Sequence, residues 1–472
     1  MSLVLCWFQR NLRVDDNLPL DAALRAGDAV VPVFVLDPCR EEPSPAARAL
    51  QREALIELAE RLLTRGSRLI LRRGTAEHVL LELVRTLGAD GVFTHADHEP
   101  AARLQHARVR ASLGTLGVPL HASEDLLLVP SAALRTQGGK PFTVFTPFSR
   151  RWLEADKSAP VPPPVRIPSP ETILSPSFPS LPAGEIDPGG PLPPDLPRGG
   201  TRAARQRWTR FREDALVDYG VGRDRPDREG TSRLSLDLRP GVLGIRRLYA
   251  ELRALQKSGE PQARASIETF IKELAWREFF AGVLDAFPAV ATTSFRPEFD
   301  RFDWVSGEDE TRLLSAWAEG STGYPIVDAG MRQLSREGWM HNRVRMIVAS
   351  FLTKDLLVTW RRGEEFFRSR LADADLASNN GGWQWAAGSG CDAQPFFRIF
   401  NPVKQGERFD PEGLYVRRHV SELAESAARG PAIHSPWDWP DPPAHYPRPL
   451  VDHAQARARA LAAFARLRAS EA

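Results

Sequence analysis

Residues 158–200 hold fourteen of the chain's 40 prolines, with Pro162, Pro163 and Pro164 in succession. Proline lacks a backbone donor and fixes φ, so this stretch cannot be interior helix or central strand. It reads as a long extended connector crossing the surface between two unlike parts of a 472-residue chain. A proline-rich ligand for an SH3-type module is the weaker alternative.

Before the connector, strand-length apolar runs at 3–8, 29–36, 68–72 and 91–95 alternate with helix-like stretches at 45–65, 76–87 and 100–113. Strands separated by helices require crossover connections and a parallel sheet covered on both faces. Residues 1–130 are therefore expected to form a doubly wound α/β domain, with 131–200 as the connector. From 201 to 472 the apolar period becomes helical, in segments 242–257, 266–287, 311–318, 325–337, 340–357 and 363–371. Ten of the 12 tryptophans lie beyond residue 200, which predicts an all-α domain that buries many indoles.

Composition excludes several classes. Sixty-two basic residues against 60 acidic ones leave a net charge of +2, which rules out a histone-like polycation but permits a local basic face. Cys6, Cys39 and Cys391 are scattered, so neither a disulfide framework nor a cysteine-based metal site is expected. No apolar run reaches the ~18 residues of a membrane span, and no basic segment precedes the first apolar run. A reducing cytoplasm is the expected setting.

The α/β part lacks both GxGxxG after its first strand and GxxxxGK[ST], so the usual dinucleotide cradle and P-loop are absent. Chemistry concentrates in the helical part. Glu273, Trp276 and Arg277 fall at i, i+3 and i+4, presenting a carboxyl, an indole and a guanidinium on one helix face. Asn342, Arg345 and Met346 repeat the spacing. Taken alone, either trio reads more plainly as core tryptophan or methionine with a salt-bridged flank. Residues 371–390 crowd Asp373, Asp375, an Asn pair and two tryptophans into a turn-rich segment that reads as a site. The plainer alternative is a helix start capped by Asp373 or Asp375. GTSRLS at 230–235, followed by a helix, can seat a phosphate on free backbone amides or serve as a simple cap.

WFQRNLRVDDNLPL, FTVFTPFSRRW, GTSRLS, ELAWREFF, TGYPIVDAGMRQL, WMHNRVRMIVASFLTKDLL and ASNNGGWQWAAGSGCDAQPFFRIFNP together resemble the photolyase/cryptochrome family, from residue 2 to about 450. Within it the chain looks most like the bacterial class I cyclobutane pyrimidine dimer photolyases. The resemblance implies an α/β antenna domain, a long linker and a helical domain holding FAD. Thr231, Ser232 and Ser235 would hold the FAD diphosphate with Arg277 assisting and Tyr219 alongside. Arg345 and Asp373 would pair beside the isoalloxazine, with Asp375 on the same edge and Asn379 facing flavin N5. A neutral amide there bonds the ring without offering it an acidic proton, and a fixed guanidinium favours the anionic reduced flavin.

The same resemblance lines the lesion pocket with Trp276 and Trp385 stacking on a flipped dimer, Glu273 and Asn342 bonding its base edges, and Met346 alongside. A damaged pair costs less to extrude than a normal one. Glu273 would donate from its protonated form, and burial raises its pKa in that direction. Arg343 and Arg398 match positions that grip DNA phosphates. Trp383, Trp360 and Trp304 match a chain that relays electrons to photoexcited flavin. Gln9 and Asn11 depart from the WFRRDLR pattern, with a small change in ion pairing expected. Ala101 and Ala102 stand where folate-type antenna binders carry Asn and Glu, so a deazaflavin or FMN is expected rather than methenyltetrahydrofolate, or no second chromophore. The expected partner is UV-damaged DNA, with a monomeric enzyme and no metal. A blue-light photoreceptor is the main rival, but Asn379, Asn342, Met346 and Trp385 favour repair and the chain ends near 472 without a long signalling tail. Repair of (6-4) photoproducts would need histidines where Asn342 and Met346 stand. An electron-transfer flavoprotein with no role on DNA is the plainest alternative.

Overall fold

The computed structural model describes residues 2–469. Five parallel strands form one sheet in the order β3-β2-β1-β4-β5: β1 Leu3–Phe8, β2 Ala29–Leu36, β3 Ile70–Arg73, β4 Gly91–His95 and β5 Leu120–Ser123. In β1, Val4, Cys6 and Phe8 enter one apolar cluster while Leu5 and Trp7 enter another. Alternate residues thus face opposite covered sides, as a doubly wound sheet requires. β1 pairs with β2 through Leu3↔Ala29 and with β4 through Val4↔Gly91, so the chain reverses its winding direction at β1. Crevices at such reversals open at the carboxyl ends of the strands.

The helix expected at 100–113 runs Pro100–Gly114, while Leu18–Ala26 and β5 were not anticipated. The proline-rich stretch lies along the α/β domain: the Val30 amide donates to the Pro168 carbonyl (2.8 Å) and the Leu181 amide to that of Leu71 (2.9 Å). It is not wholly extended, because Glu171–Leu174 forms a single helical turn with Pro170 just before it, where a missing donor costs nothing. Further upstream, Phe145–Glu154 is a helix whose Phe148 and Trp152 pack with Phe270 and Phe279, so that part of 131–200 belongs to the helical core.

The C-terminal half is helical, built around Pro261–Ala286, Pro325–Glu337, Asn342–Ser350, Trp360–Arg370 and Leu376–Ala387. The single helix expected over 340–357 ends as α-helix at Ser350 and continues as one π-turn, Phe351–Asp355. That wider turn carries two buried ionisable side chains. Lys354 Nζ donates to the Arg398 carbonyl (3.0 Å), and Asp355 pairs with His453 (2.6 Å). Among the described residues no helix is long and apolar enough to cross a membrane, no group of side chains is arranged to hold a metal, and all three cysteines are free.

Candidate active site

A cavity of about 330 Å3 lies between the helix Pro261–Ala286, the segment 231–239 and the starts of the helices Asn342–Ser350 and Leu376–Ala387. Tyr219, Thr231, Ser232, Ser235, Glu273, Trp276, Arg277, Asn342, Arg345, Asp373 and Asp375 all line it, although they span more than 150 positions of sequence. Met346, Asn379, Trp385, Trp383, Trp360, Trp304, Arg343 and Arg398 are not part of its wall.

Local structure explains the placement. A Cβ on Gly230 would sit 2.6 Å from the Gly222 carbonyl oxygen, so glycine is what lets 231–235 return beside Tyr219. Only one helical turn, Ser235–Leu238, follows GTSRLS, and the polar groups that 231–239 brings to the wall are hydroxyls and guanidinium groups. Residues 371–390 are mostly the helix Leu376–Ala387, capped by Asp375, whose Oδ1 accepts from the Ser378 amide (3.0 Å). The capping alternative therefore holds for Asp375, and the same helix supplies Ser378 and Gly382 to the cavity.

Arg345 Nη2 donates to both oxygens of Asp373 (2.9 and 3.1 Å), while its Nε donates to the Met340 carbonyl (2.8 Å), so the expected ion pair is formed. Arg277 Nη1 donates to the Leu126 carbonyl (2.8 Å). Glu273 Oε1 accepts from Arg223 Nη1 (2.6 Å). Burial raises the Glu273 carboxyl above its ordinary range, with Arg223 drawing it part of the way back. Sequence reasoning missed Arg223, which lines the cavity; its position four residues after Tyr219 was the available signal.

Trp276 carries Phe145 on one face, the rings parallel within 6° and 3.6 Å apart. Asn379 Nδ2 donates to the Glu364 carbonyl (3.0 Å) and to Glu364 Oε1 (2.9 Å), which leaves its carbonyl oxygen as the group to offer elsewhere. Glu364 was also missed. Trp383 is buried against Phe367, edge to face at 5.0 Å, and against Trp317 at 6.0 Å. Trp360 is buried and bonded to Ser294 (3.2 Å), whereas Trp304 is half-buried beside Phe302 (4.4 Å). Arg343 is held by Asp224 (2.7 Å) and lies 4.4 Å from the Phe409 ring, with Met346 sulfur 3.7 Å from its Nη1. Arg398 is exposed.

Residues 4–168 match the family described as DNA photolyase, and residues 270–466 match the FAD binding domain of DNA photolyase. A deoxyribodipyrimidine photo-lyase of Halobacterium salinarum is 40% identical over 99% of this chain and all of its own length. The chain belongs to the DNA photolyase family. A class III photolyase from Agrobacterium tumefaciens superposes with a TM-score of 0.91 at 38% identity, covering 99% of this chain and 98% of its own. An archaeal photolyase from Sulfolobus tokodaii, solved with two FAD molecules, gives 0.84 at 32% identity over 98% of this chain and all of its own.

The cavity fits the flavin nucleotide that this photolyase family's helical domain binds. Thr231, Ser232 and Ser235 offer hydroxyls, Arg277 and Arg345 offer positive charge, and Phe270, Leu274 and Trp339 offer apolar walls for rings. Gly382 also lines the cavity, and a Cβ built there meets no protein atom within 4 Å, so any larger residue would project into this space.

Proposed function

We propose that the chain repairs cyclobutane pyrimidine dimers in DNA, using light. The observation that carries this reading is one shared wall: Glu273, Trp276 and Asn342 stand in the same cavity as Thr231, Ser235 and the Arg345–Asp373 pair. FAD, when bound in its reduced form, supplies the electron that opens the dimer after absorbing light. Thr231, Ser232, Ser235 and Arg277 would hold its diphosphate beside Tyr219. Arg345, anchored by Asp373, places a fixed cation against the ring system, and Asp375 flanks it. Asn379, its amide nitrogen committed to Glu364, would offer the ring an acceptor oxygen rather than an acidic proton.

The dimer stacks on the face of Trp276 that Phe145 leaves open, with Trp385 opposite and Met346 alongside. Asn342 and Glu273 bond its base edges. Glu273 acts as a donor once Arg223 lets go of it, and burial then favours the protonated carboxyl. Arg343 and Arg398 grip phosphates without reading sequence. Trp383, Trp360 and Trp304 carry electrons inward from the surface.

Room for a second chromophore, of deazaflavin or FMN type, is offered by a cavity of about 400 Å3 at the carboxyl end of the sheet, where Arg40, Arg48 and Arg73 stand among Glu41, Glu42 and Asp187. Ala102, at a position where folate binders carry Glu, is fully packed in the core, which argues against methenyltetrahydrofolate. The class I assignment rests on the quoted motifs, while the photolyase structure from Agrobacterium tumefaciens that shares the fold is of class III. The enzyme works as a cytoplasmic monomer. A mixed substrate of dimer- and (6-4)-containing oligonucleotides tests the specificity: light should restore only the dimer, and restoration of the (6-4) product would refute the roles given to Asn342 and Met346.

A further inference from the structure

The Asp375 carboxylate works in two directions. Its Oδ1 starts the helix Leu376–Ala387, and its Oδ2 accepts Arg10 Nη2 at 2.6 Å, a partner 365 residues away. Arg10 follows β1 at the carboxyl end of the sheet. Its Nη1 donates to Glu99 (2.8 Å), which follows β4 and also receives Arg239 (2.5 Å) and Arg40 (3.0 Å). Arg239 in turn bonds Glu42 (3.1 Å) and stands 3.6 Å from Asp375. None of these side chains is more than 17% exposed. A guanidinium held at two ends by carboxylates in so dry a setting cannot rotate without stranding a charge.

The cavity needs this arrangement. Arg345 is paired with Asp373, and Arg277, which donates Nη1 to the Leu126 carbonyl, forms no ion pair with Asp375. Asp375 is neutralised by Arg10 from behind the wall and by Arg239 within it, and the two hold its carboxyl well below the ordinary range despite a burial that would raise it. Without that backing, a wall carboxylate would repel an anionic ligand.

We propose that Arg10 is a positioning residue for the flavin site: it fixes Asp375, and through it the start of the helix that carries Asn379, Trp383 and Trp385. The inference rests on the cavity being the FAD site. The loop after the first strand of the α/β domain thereby sets the charge balance at one wall of the helical domain's cavity.

The test compares FAD-loaded wild type with Arg10→Met and Arg10→Lys, each alone and combined with Asp375→Asn, by measuring the midpoint potential of the bound flavin and its dissociation. Arg10→Met should shift the reduced-to-oxidised ratio at fixed potential about tenfold toward oxidised, or roughly 30 mV for a two-electron couple, and should speed FAD release. Arg10→Lys should recover part of the shift. In the Asp375→Asn background the same change should move the ratio by less than about twofold, because the two residues act as a unit. A wild-type potential in Arg10→Met overturns the proposal, and so does an equal shift in both backgrounds, which marks a long-range charge effect. If Arg10→Met does not fold, Arg10→Lys carries the test, since it keeps the charge and loses the two-ended grip. Wild type that retains no FAD refutes the cavity reading instead.

Discussion

Glu273 Oε1 and Arg223 Nη1 meet at 2.6 Å in the cavity wall, so the carboxyl assigned to the lesion already has a cationic partner. Arg223 lowers the Glu273 pKa while burial raises it more. Removing the guanidinium therefore extends the protonated form to higher pH. Arg223→Ala should move the alkaline limb of repair yield per photon upward, measured from pH 6 to 9 on a single-stranded dimer. Glu273→Ala should lower that yield, through the loss of one donor to the charge that develops on the dimer, with flavin still bound. Unchanged yield in Glu273→Ala would remove the proposed hydrogen bond.

Trp383 leaves no room beside Gly363: a Cβ there would fall 2.1 Å from the indole Cη2. Gly363→Ala should displace the ring, cost about 1–3 kcal/mol of stability as overpacking does, and slow photoreduction of oxidised flavin. Trp383→Phe should block photoreduction while sparing repair by enzyme reduced chemically. Transient absorption reads both, and normal photoreduction in Trp383→Phe would end the relay assignment.

Exposed Arg398 should contribute one phosphate contact. Arg398→Ala is expected to weaken binding of damaged and undamaged duplex alike and to reduce the salt slope of log affinity by about 1. Affinity measured from 50 to 200 mM salt checks this. A loss confined to damaged DNA would mean that Arg398 touches the lesion.

Lys354 is buried in the π-turn, and that burial lowers its pKa to about 7 from an ordinary 10.5. Between those values the unfolded chain binds more protons than the folded one, so stability rises with pH across the window and is lowest below it. The slope from this group approaches roughly 1.4 kcal/mol per pH unit. Denaturant titrations of wild type and Lys354→Met from pH 6.5 to 10 should show it in wild type alone; identical slopes would mean that Lys354 is charged throughout.

Covered apolar strands and periodic helices were legible because each declares itself within a few residues. β5 was not: LHAS is four residues long, with its two middle side chains, His121 and Ala122, exposed at the sheet edge. Leu18–Ala26 did carry a readable start, an Asn17 cap followed by Pro19 near the first turn. The site trios at 273–277 and 342–346 announced their faces through helical spacing, but nothing in spacing says that Arg223 meets Glu273 or that Glu364 orients Asn379. Arg10 and Asp375 are the extreme case. Their contact depends on how two domains dock, which no local pattern encodes.

The central claim is light-driven repair, and its most direct measurement is recovery of intact thymines from an oligonucleotide carrying one cyclobutane thymine dimer, with reduced protein, in blue light and in darkness. Restoration in light alone is the predicted result. Tightly bound flavin with no restoration in light would contradict the account and return the photoreceptor reading, with Asn379 no longer counting toward repair.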